Sequence, residues 1–232
     1  KTLFASYSQV TVIECSIEYW KEKNGGIPQS IEEKQTINVN QGARYLALKK
    51  CDWLIHIDCD ELLYTSKPIK RIINRFNTDV VKFSILEAVA EQEKCNDIFS
   101  PTLFKKKSQR IKIFVAERLG CSKSIFKGEY FRAHTASKTA VKIKPKMKGN
   151  YGIHGPNKSL NISIENTNLI QLLHFDCVSI DEWKIKWDRR INGSGVALRM
   201  RDNRRKQMFL YEIAKNKGDE SLSIMFNRMH GI

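Results

Sequence analysis

The chain has 232 residues, a formal net charge of +15 and a hydrophobic fraction of 41%. This length is sufficient for one domain with a substantial core, and no apolar stretch approaches the roughly 20 residues that a membrane-spanning helix needs. The excess of Lys and Arg indicates an anionic partner, which could be a phosphorylated or acidic small molecule, an acidic lipid surface or a nucleic acid.

The first part of the chain predicts alternating strands and helices. Residues 10–15 form a β-branched run typical of a strand. A turn-rich loop follows, and the pattern becomes helical over residues 33–50. The apolar run that ends at residue 57 predicts the next strand. This order predicts a parallel β-α-β unit with a right-handed crossover.

The second part continues with shorter elements. A helix is predicted over residues 69–76, and strands are predicted at residues 80–86, 111–114, 140–143 and 169–175. Ser179 is expected to cap a helix, because acidic residues follow it in the first turn. The remaining residues predict basic helices that are interrupted at residues 193–195 and 217–219.

The most informative segment is the apolar run 53–57, which ends in Asp58, Asp60 and Glu61. On an extended backbone, Asp58 and Asp60 would point to the same face. Their mutual repulsion predicts a positive charge between them. Mg²⁺ or Mn²⁺ suits this position, because hard cations prefer oxygen ligands. The structural alternative is an acidic turn that caps the next element.

This segment also carries a resemblance to a known family. Residues 52–62, DWLIHIDCDEL, resemble the "DWliflDaDEFl" signature of GT-A fold glycosyltransferases in the family two-like group, close to family ninety-two. The accompanying motifs are individually weak but occur in the expected order over residues 9–195. They are Gln35 and Asn40 for "Q…N…a", Lys138 for "gKsivr", His154 for "gvH", and His174 with Ser179, Glu182 and Lys186 for "HY…S.eef..K".

The resemblance implies an α/β fold of GT-A-like (Rossmann-like) type, with a mostly parallel sheet flanked by helices. Residues 1–192 are expected to form this domain without its first strand, and residues 193–232 are expected to be its basic helical extension.

The activity that the resemblance implies is metal-dependent transfer of a sugar from a nucleotide-diphosphate sugar to a glycan, lipid-linked or protein acceptor. Mn²⁺ or Mg²⁺ would neutralise the departing diphosphate. The expected metal ligands are Asp58, Asp60, His154 and His174. The expected donor-binding and diphosphate-binding residues are Asp58, Gln35, Asn40, Lys138 and Lys186. The expected catalytic residues are Asp60, Glu61, which shapes the sugar pocket or caps the next segment, and Glu87, one of several candidate bases beside Glu91, Asp176 and Asp181.

Two other functions stay open from the sequence. The charge of +15 is compatible with a nucleic-acid-binding module, although no recognised nucleic-acid motif occurs. Asp58 and Asp60 are compatible with a metal-dependent phosphoryl-transfer enzyme.

The six scattered cysteines contain no Cys-x-x-Cys pair and predict a reducing, cytoplasmic location. Peripheral contact with an acidic membrane surface is an additional expectation.

Overall fold

The structure is a computed structural model that describes residues 4, 6–91, 95, 97–106, 110–119, 137–156, 161–193 and 202–230. Its helices are α1 (Ile17–Asn24), α2 (Ile31–Leu48), α3 (Ile69–Ile73), α4 (Arg110–Arg118), α5 (Ile180–Asn192), α6 (Asp202–Lys217) and α7 (Asp219–His230). Its strands are β1 (Trp53–Ile55), β2 (Glu61–Thr65), β3 (Val80–Ala88), β4 (Phe104–Lys106), β5 (Thr139–Lys142), β6 (Tyr151–Gly152), β7 (Gly155–Pro156) and β8 (Ile164–His174).

The chain divides into two compact units. The first contains Lys1–His56, Thr78–Val80 and Lys138–Ile164, and the second contains Ile57–Asn77, Val81–Ser137 and Glu165–Ile232. Among the described residues, no helix is both long and apolar enough to cross a lipid bilayer.

The first unit has its core between α2 and the antiparallel pair of β1 and β5. Val39 and Ala43 of α2 pack with Leu54 of β1 and Val141 of β5. The helix begins at a capping box, in which Ser30 accepts a hydrogen bond from the Glu33 backbone and the Glu33 carboxylate accepts one from the Ser30 backbone.

The second unit combines strands with three C-terminal helices. In order across the sheet its strands are β4, β3, β8 and β2, and β2 runs antiparallel to β8. Helices α5, α6 and α7 form an aromatic core around Trp183, Trp187, Tyr211 and Phe226. Helix α5 begins at Ser179, whose side chain accepts a hydrogen bond from the Glu182 backbone.

The structure confirms an α/β fold with helices flanking a mixed sheet, but it does not confirm the mostly parallel arrangement. The pairs β1–β5, β2–β8 and β3–β4 are all antiparallel. The predicted opening β-α-β unit is absent, because residues 10–15 form no strand. Val10, Val12 and Ile13 remain exposed, which shows that β-branched composition does not make a strand without a partner strand and a buried face.

One other element differs from its prediction. Residues 111–114 were expected to form a strand, but they lie within helix α4. Ile111, Phe114 and Val115 have helical spacing, which places them on one side of the helix, and Arg118 lies over the Phe114 ring at 5.2 Å. The predicted elements that correspond to α2, β1, α3, β3, β5, β8 and α5 are confirmed.

The buried carboxylate of Asp79, just before β3, forms hydrogen bonds with two other segments of the first unit. Asp79 accepts hydrogen bonds from the ammonium groups of Lys144 (2.5 Å) and Lys146 (3.0 Å), and from the Ser163 backbone (3.3 Å). The hydrogen bond from Lys144 outweighs the effect of burial and holds the pKa of Asp79 well below its usual range. A carboxylate with a depressed pKa stabilises the folded state above its unfolded pKa of about 4.

Asp79→Asn should therefore lower the free energy of unfolding at pH 6 by about 1–3 kcal/mol, because a hydrogen-bonded charge is lost. The difference from wild type should shrink as the pH falls below about 4, because the carboxylate of wild type then protonates in the unfolded state but not yet in the folded state. Urea denaturation at pH 6 and pH 3 measures both effects. Asp219→Asn is the control, since Asp219 makes an exposed ion pair with Lys184 and should give a smaller change. An Asp79→Asn loss that is equal at both pH values would contradict this account.

Candidate metal centre

Asp58 and Glu61 close a turn between β1 and β2. The Glu61 carboxylate accepts a hydrogen bond from the Asp58 backbone (2.7 Å), and the Glu61 backbone donates to the Asp58 carbonyl (3.2 Å). Asp58 and Asp60 are half-buried, and Cys59 between them is exposed. The extended arrangement predicted for the two aspartates is therefore wrong, because these local hydrogen bonds curl the backbone. Glu61 begins β2, and its carboxylate closes the turn that precedes this strand.

The turn is fixed to the end of β8. The Phe175 backbone donates to the Asp60 carbonyl (2.9 Å), and Glu61 is opposite His174 in the antiparallel register of β2 and β8. This register places His174 Nε2 at 3.7 Å from Asp60 Oδ2. The acidic turn and the histidine are thus held together by backbone hydrogen bonds of neighbouring strands.

His174 is buried because it continues the apolar face of β8. Ile170, Leu172 and His174 alternate along the strand and are 0%, 0% and 7% exposed. Because side chains alternate between the two faces of a strand, the imidazole lies on the same buried face as the two aliphatic side chains. Its Nδ1 atom is buried and has no hydrogen-bond partner in the described part of the chain. A buried ring nitrogen without a partner is costly unless a ligand satisfies it.

Burial keeps this imidazole neutral. Burial lowers the pKa of His174 below its ordinary value, and this effect exceeds the opposing effects of Asp176 and Asp60. A neutral imidazole retains the lone pair that a metal ligand needs.

Asp176 is a buried and ionised carboxylate two residues further along the chain. Burial raises its pKa, but the charge of the Lys186 ammonium and its hydrogen bond outweigh this effect, so the pKa of Asp176 lies well below its usual range. The Lys186 ammonium contacts Asp176 Oδ1, and the Cys177 thiol donates to the same oxygen (3.1 Å). Burial raises the pKa of Cys177, so the thiol keeps the proton that it donates.

Glu87 completes a group of three potential ligands. It lies near the end of β3, is 0% exposed, and β3 is the neighbour of β8 in the sheet. Glu87, His174 and Asp176 each offer a ligand atom, and these atoms all lie within 4.8 Å of one another. This buried group could hold a metal ion. Asp60 lies at its edge through its contact with His174.

The donor set fits a divalent metal. Carboxylate oxygens and an imidazole nitrogen together suit Mg²⁺, Mn²⁺ or Zn²⁺. Two ligands of one octahedral ion at about 2.2 Å lie between about 3.1 and 4.4 Å apart, and the 3.7 Å between Asp60 and His174 falls within this range. The ligand atoms of the buried group lie within 4.8 Å of one another, which is close to this range.

The four predicted metal ligands do not all belong to this buried group. His174 belongs to the buried group, and Asp60 contacts it. Asp58 lies in the same turn and contributes to the electrostatic field at His174. His154 belongs to the first unit, where it lies between β6 and β7. Among the described residues, neither Asp58 nor His154 is a member of the group of three.

The predicted donor-binding residues of the first unit have structural contacts. The Asn40 amide donates to the Tyr151 carbonyl (2.7 Å) and accepts from the Tyr151 backbone (3.2 Å), so it fixes α2 to β6. Lys138 is buried, with Nζ at 3.3 Å from His56 Nδ1. Gln35 is half-buried in α2.

Sequence reasoning named Glu87 and Asp176 only as candidate bases, and it did not recognise them as partners of His174. The position of Asp176 offered a signal, because an acidic residue two positions after a histidine at a strand end can reach the same site. No signal in the sequence places Glu87 near His174, because the two residues are brought together by the pairing of β3 with β8.

Comparisons with protein-family models, curated proteins and solved structures found no match to this chain.

Glu87→Gln and His174→Asn should each weaken Mn²⁺ binding by about 10-fold or more, because each removes a ligand atom from the buried group. Electron paramagnetic resonance of free Mn²⁺ measures the dissociation constant. The control is Asp188→Asn, since Asp188 lies on α5 and is paired with Lys215 and Tyr211. Circular dichroism should show that each variant is folded. Unchanged affinity in both ligand variants would remove the buried group as the metal site.

Proposed function

We propose that this protein is a metal-dependent glycosyltransferase that uses a nucleotide-diphosphate sugar. The observation that carries the proposal is the turn of Asp58 and Asp60, which is tied to the end of β8 beside the buried, neutral His174. The resemblance of residues 52–62 to a GT-A signature supports the same reading. A relation to the GT-A fold is therefore part of the proposal.

The residues of the turn and the buried group have complementary roles in this proposal. Asp58 and Asp60 are half-buried and can be reached by a donor, whereas Glu87, His174 and Asp176 are buried. Mn²⁺ or Mg²⁺, when bound, would neutralise the charge that develops on the departing diphosphate. Glu87, His174 and Asp176 would hold the ion, and Asp60 would lie on the side of the ion that the donor can reach.

Glu87 is assigned as a metal ligand in this proposal and not as the base that deprotonates the acceptor. A general base has to come within hydrogen-bond distance of the acceptor hydroxyl, and the Glu87 side chain is completely buried. The net charge of +15 suits an anionic donor and a glycan or lipid-linked acceptor near an acidic surface.

A second candidate is a metal-dependent phosphoryl-transfer enzyme. One observation favours it: Asp60, Glu87 and Asp176 come from three separate chain segments that meet at strand ends. Carboxylates from several strands are typical of sites that hold two metal ions about 4 Å apart. This enzyme would release phosphate from phosphoesters and would not transfer a sugar.

With Mn²⁺, the protein should hydrolyse or transfer the sugar of at least one member of a panel of sugar nucleotides. Asp60→Asn should lower this rate by about 100-fold or more, because it removes a charge that stabilises the transition state through the metal. Product analysis by mass spectrometry separates nucleoside diphosphate and free or transferred sugar from inorganic phosphate. Glu165→Gln is the control, since Glu165 is exposed at the start of β8.

A thermal melt separates the remaining alternatives. UDP should raise the melting temperature by much more with Mn²⁺ than in EDTA, since the ion would link the carboxylates to the diphosphate. Protection by oligonucleotides alone would favour a nucleic-acid-binding module and would contradict the proposal. Release of phosphate from phosphoesters without sugar transfer would favour the second candidate.

A further inference from the structure

Lys186 is the cation that balances the buried carboxylate of Asp176. It projects from the middle of α5, and its ammonium contacts Asp176 Oδ1. The Lys186 side chain is 30% exposed, whereas the Asp176 side chain is 8% exposed. The lysine therefore reaches inward from solvent, and its long flexible side chain can turn outward again.

A divalent ion held by Glu87, His174 and Asp176 would lie close to this ammonium. Asp176 is shared, because one of its oxygens binds Lys186 and the carboxylate is also a member of the group of three. Two cations on one buried carboxylate repel each other strongly, since little water separates them. The contact with Lys186 thus stabilises the carboxylate without metal and opposes metal binding.

The same face of α5 offers Lys186 a second partner. Lys186 and Arg190 are four residues apart and lie on one side of the helix. Together with Asp176, Gln207 and His230 they line a small cavity that has room for about one water molecule. The Arg190 guanidinium is stacked at 5.0 Å from the Trp187 ring, which fixes its direction. This cavity is too small for a phosphate group, but a phosphate at the exposed side of Lys186 would have Arg190, one helical turn away, as a second cation.

We propose that Lys186 exchanges Asp176 for the diphosphate of the incoming ligand, and that this exchange couples metal binding to diphosphate binding. Without the anion, Lys186 occupies Asp176 and weakens the metal site. With the anion, Lys186 leaves Asp176 to the metal and binds the phosphate. The inference rests on the proposed metal site of the glycosyltransferase, but it does not require sugar transfer.

The test uses each ligand alone, so that chelation of Mn²⁺ by the nucleotide plays no part. Lys186→Met should bind Mn²⁺ about 5-fold or more tightly than wild type without nucleotide, and it should bind UDP about 5-fold or more weakly in the presence of EDTA. Lys186→Arg should resemble wild type in both measurements, because the charge is kept. Lys184→Met on the same helix is the matched control, since Lys184 pairs with the exposed Asp219.

The two opposite changes distinguish exchange from a purely structural role. A lysine that only positions Asp176 would give weaker Mn²⁺ binding in Lys186→Met, and this result would overturn the inference. Unchanged UDP binding in EDTA would overturn it as well. Should Lys186→Met not fold, Lys186→Gln replaces it in both measurements. Because neither measurement involves turnover, a failure to find glycosyltransferase activity is distinguishable from a failure of this inference.

Discussion

The charge balance around Asp176 is the constraint on which the candidate site depends. A carboxylate buried among protein atoms is stable only when a cation or several hydrogen-bond donors compensate it. Here the Lys186 ammonium pairs with Asp176, and the Cys177 thiol donates a hydrogen bond to it. Glu87 lies in the same group, and burial keeps the His174 imidazole neutral. The Lys186 ammonium balances the charge of Asp176 without metal, and the group of three could hold a divalent cation in its place.

The fold creates this situation through ordinary rules of strand geometry. The alternation that buries Ile170 and Leu172 of β8 also buries His174. The antiparallel register brings Glu61, and with it the acidic turn, opposite that histidine. Helix α5 begins soon after β8, and its Lys186 reaches back to Asp176. Backbone hydrogen bonds and aliphatic burial thus position His174 and the acidic turn, whereas Asp176 lies in the short segment between β8 and α5.

Most of the local structure could be predicted from the sequence, whereas the partners of the site could not. The periodicity of α2 and the cap of α5 at Ser179 are local properties, and both are confirmed. His174 could be named as a ligand because a motif order pointed to it. Glu87 could not be placed beside it, since the pairing of β3 with β8 joins segments far apart in the chain. The turn at Asp58 depends on one carboxylate-to-backbone hydrogen bond, which no periodic pattern reveals.

Binding of a divalent metal at the buried group beside the acidic turn can be measured directly. The measurement is an anomalous difference map from crystals grown with Mn²⁺, recorded at the manganese absorption edge. One strong peak is expected at about 2.2 Å from ligand atoms of Glu87, His174 and Asp176, with Asp60 at its margin. A peak elsewhere on the molecule, with His174 Nδ1 and Nε2 both lacking a metal contact, would contradict the account.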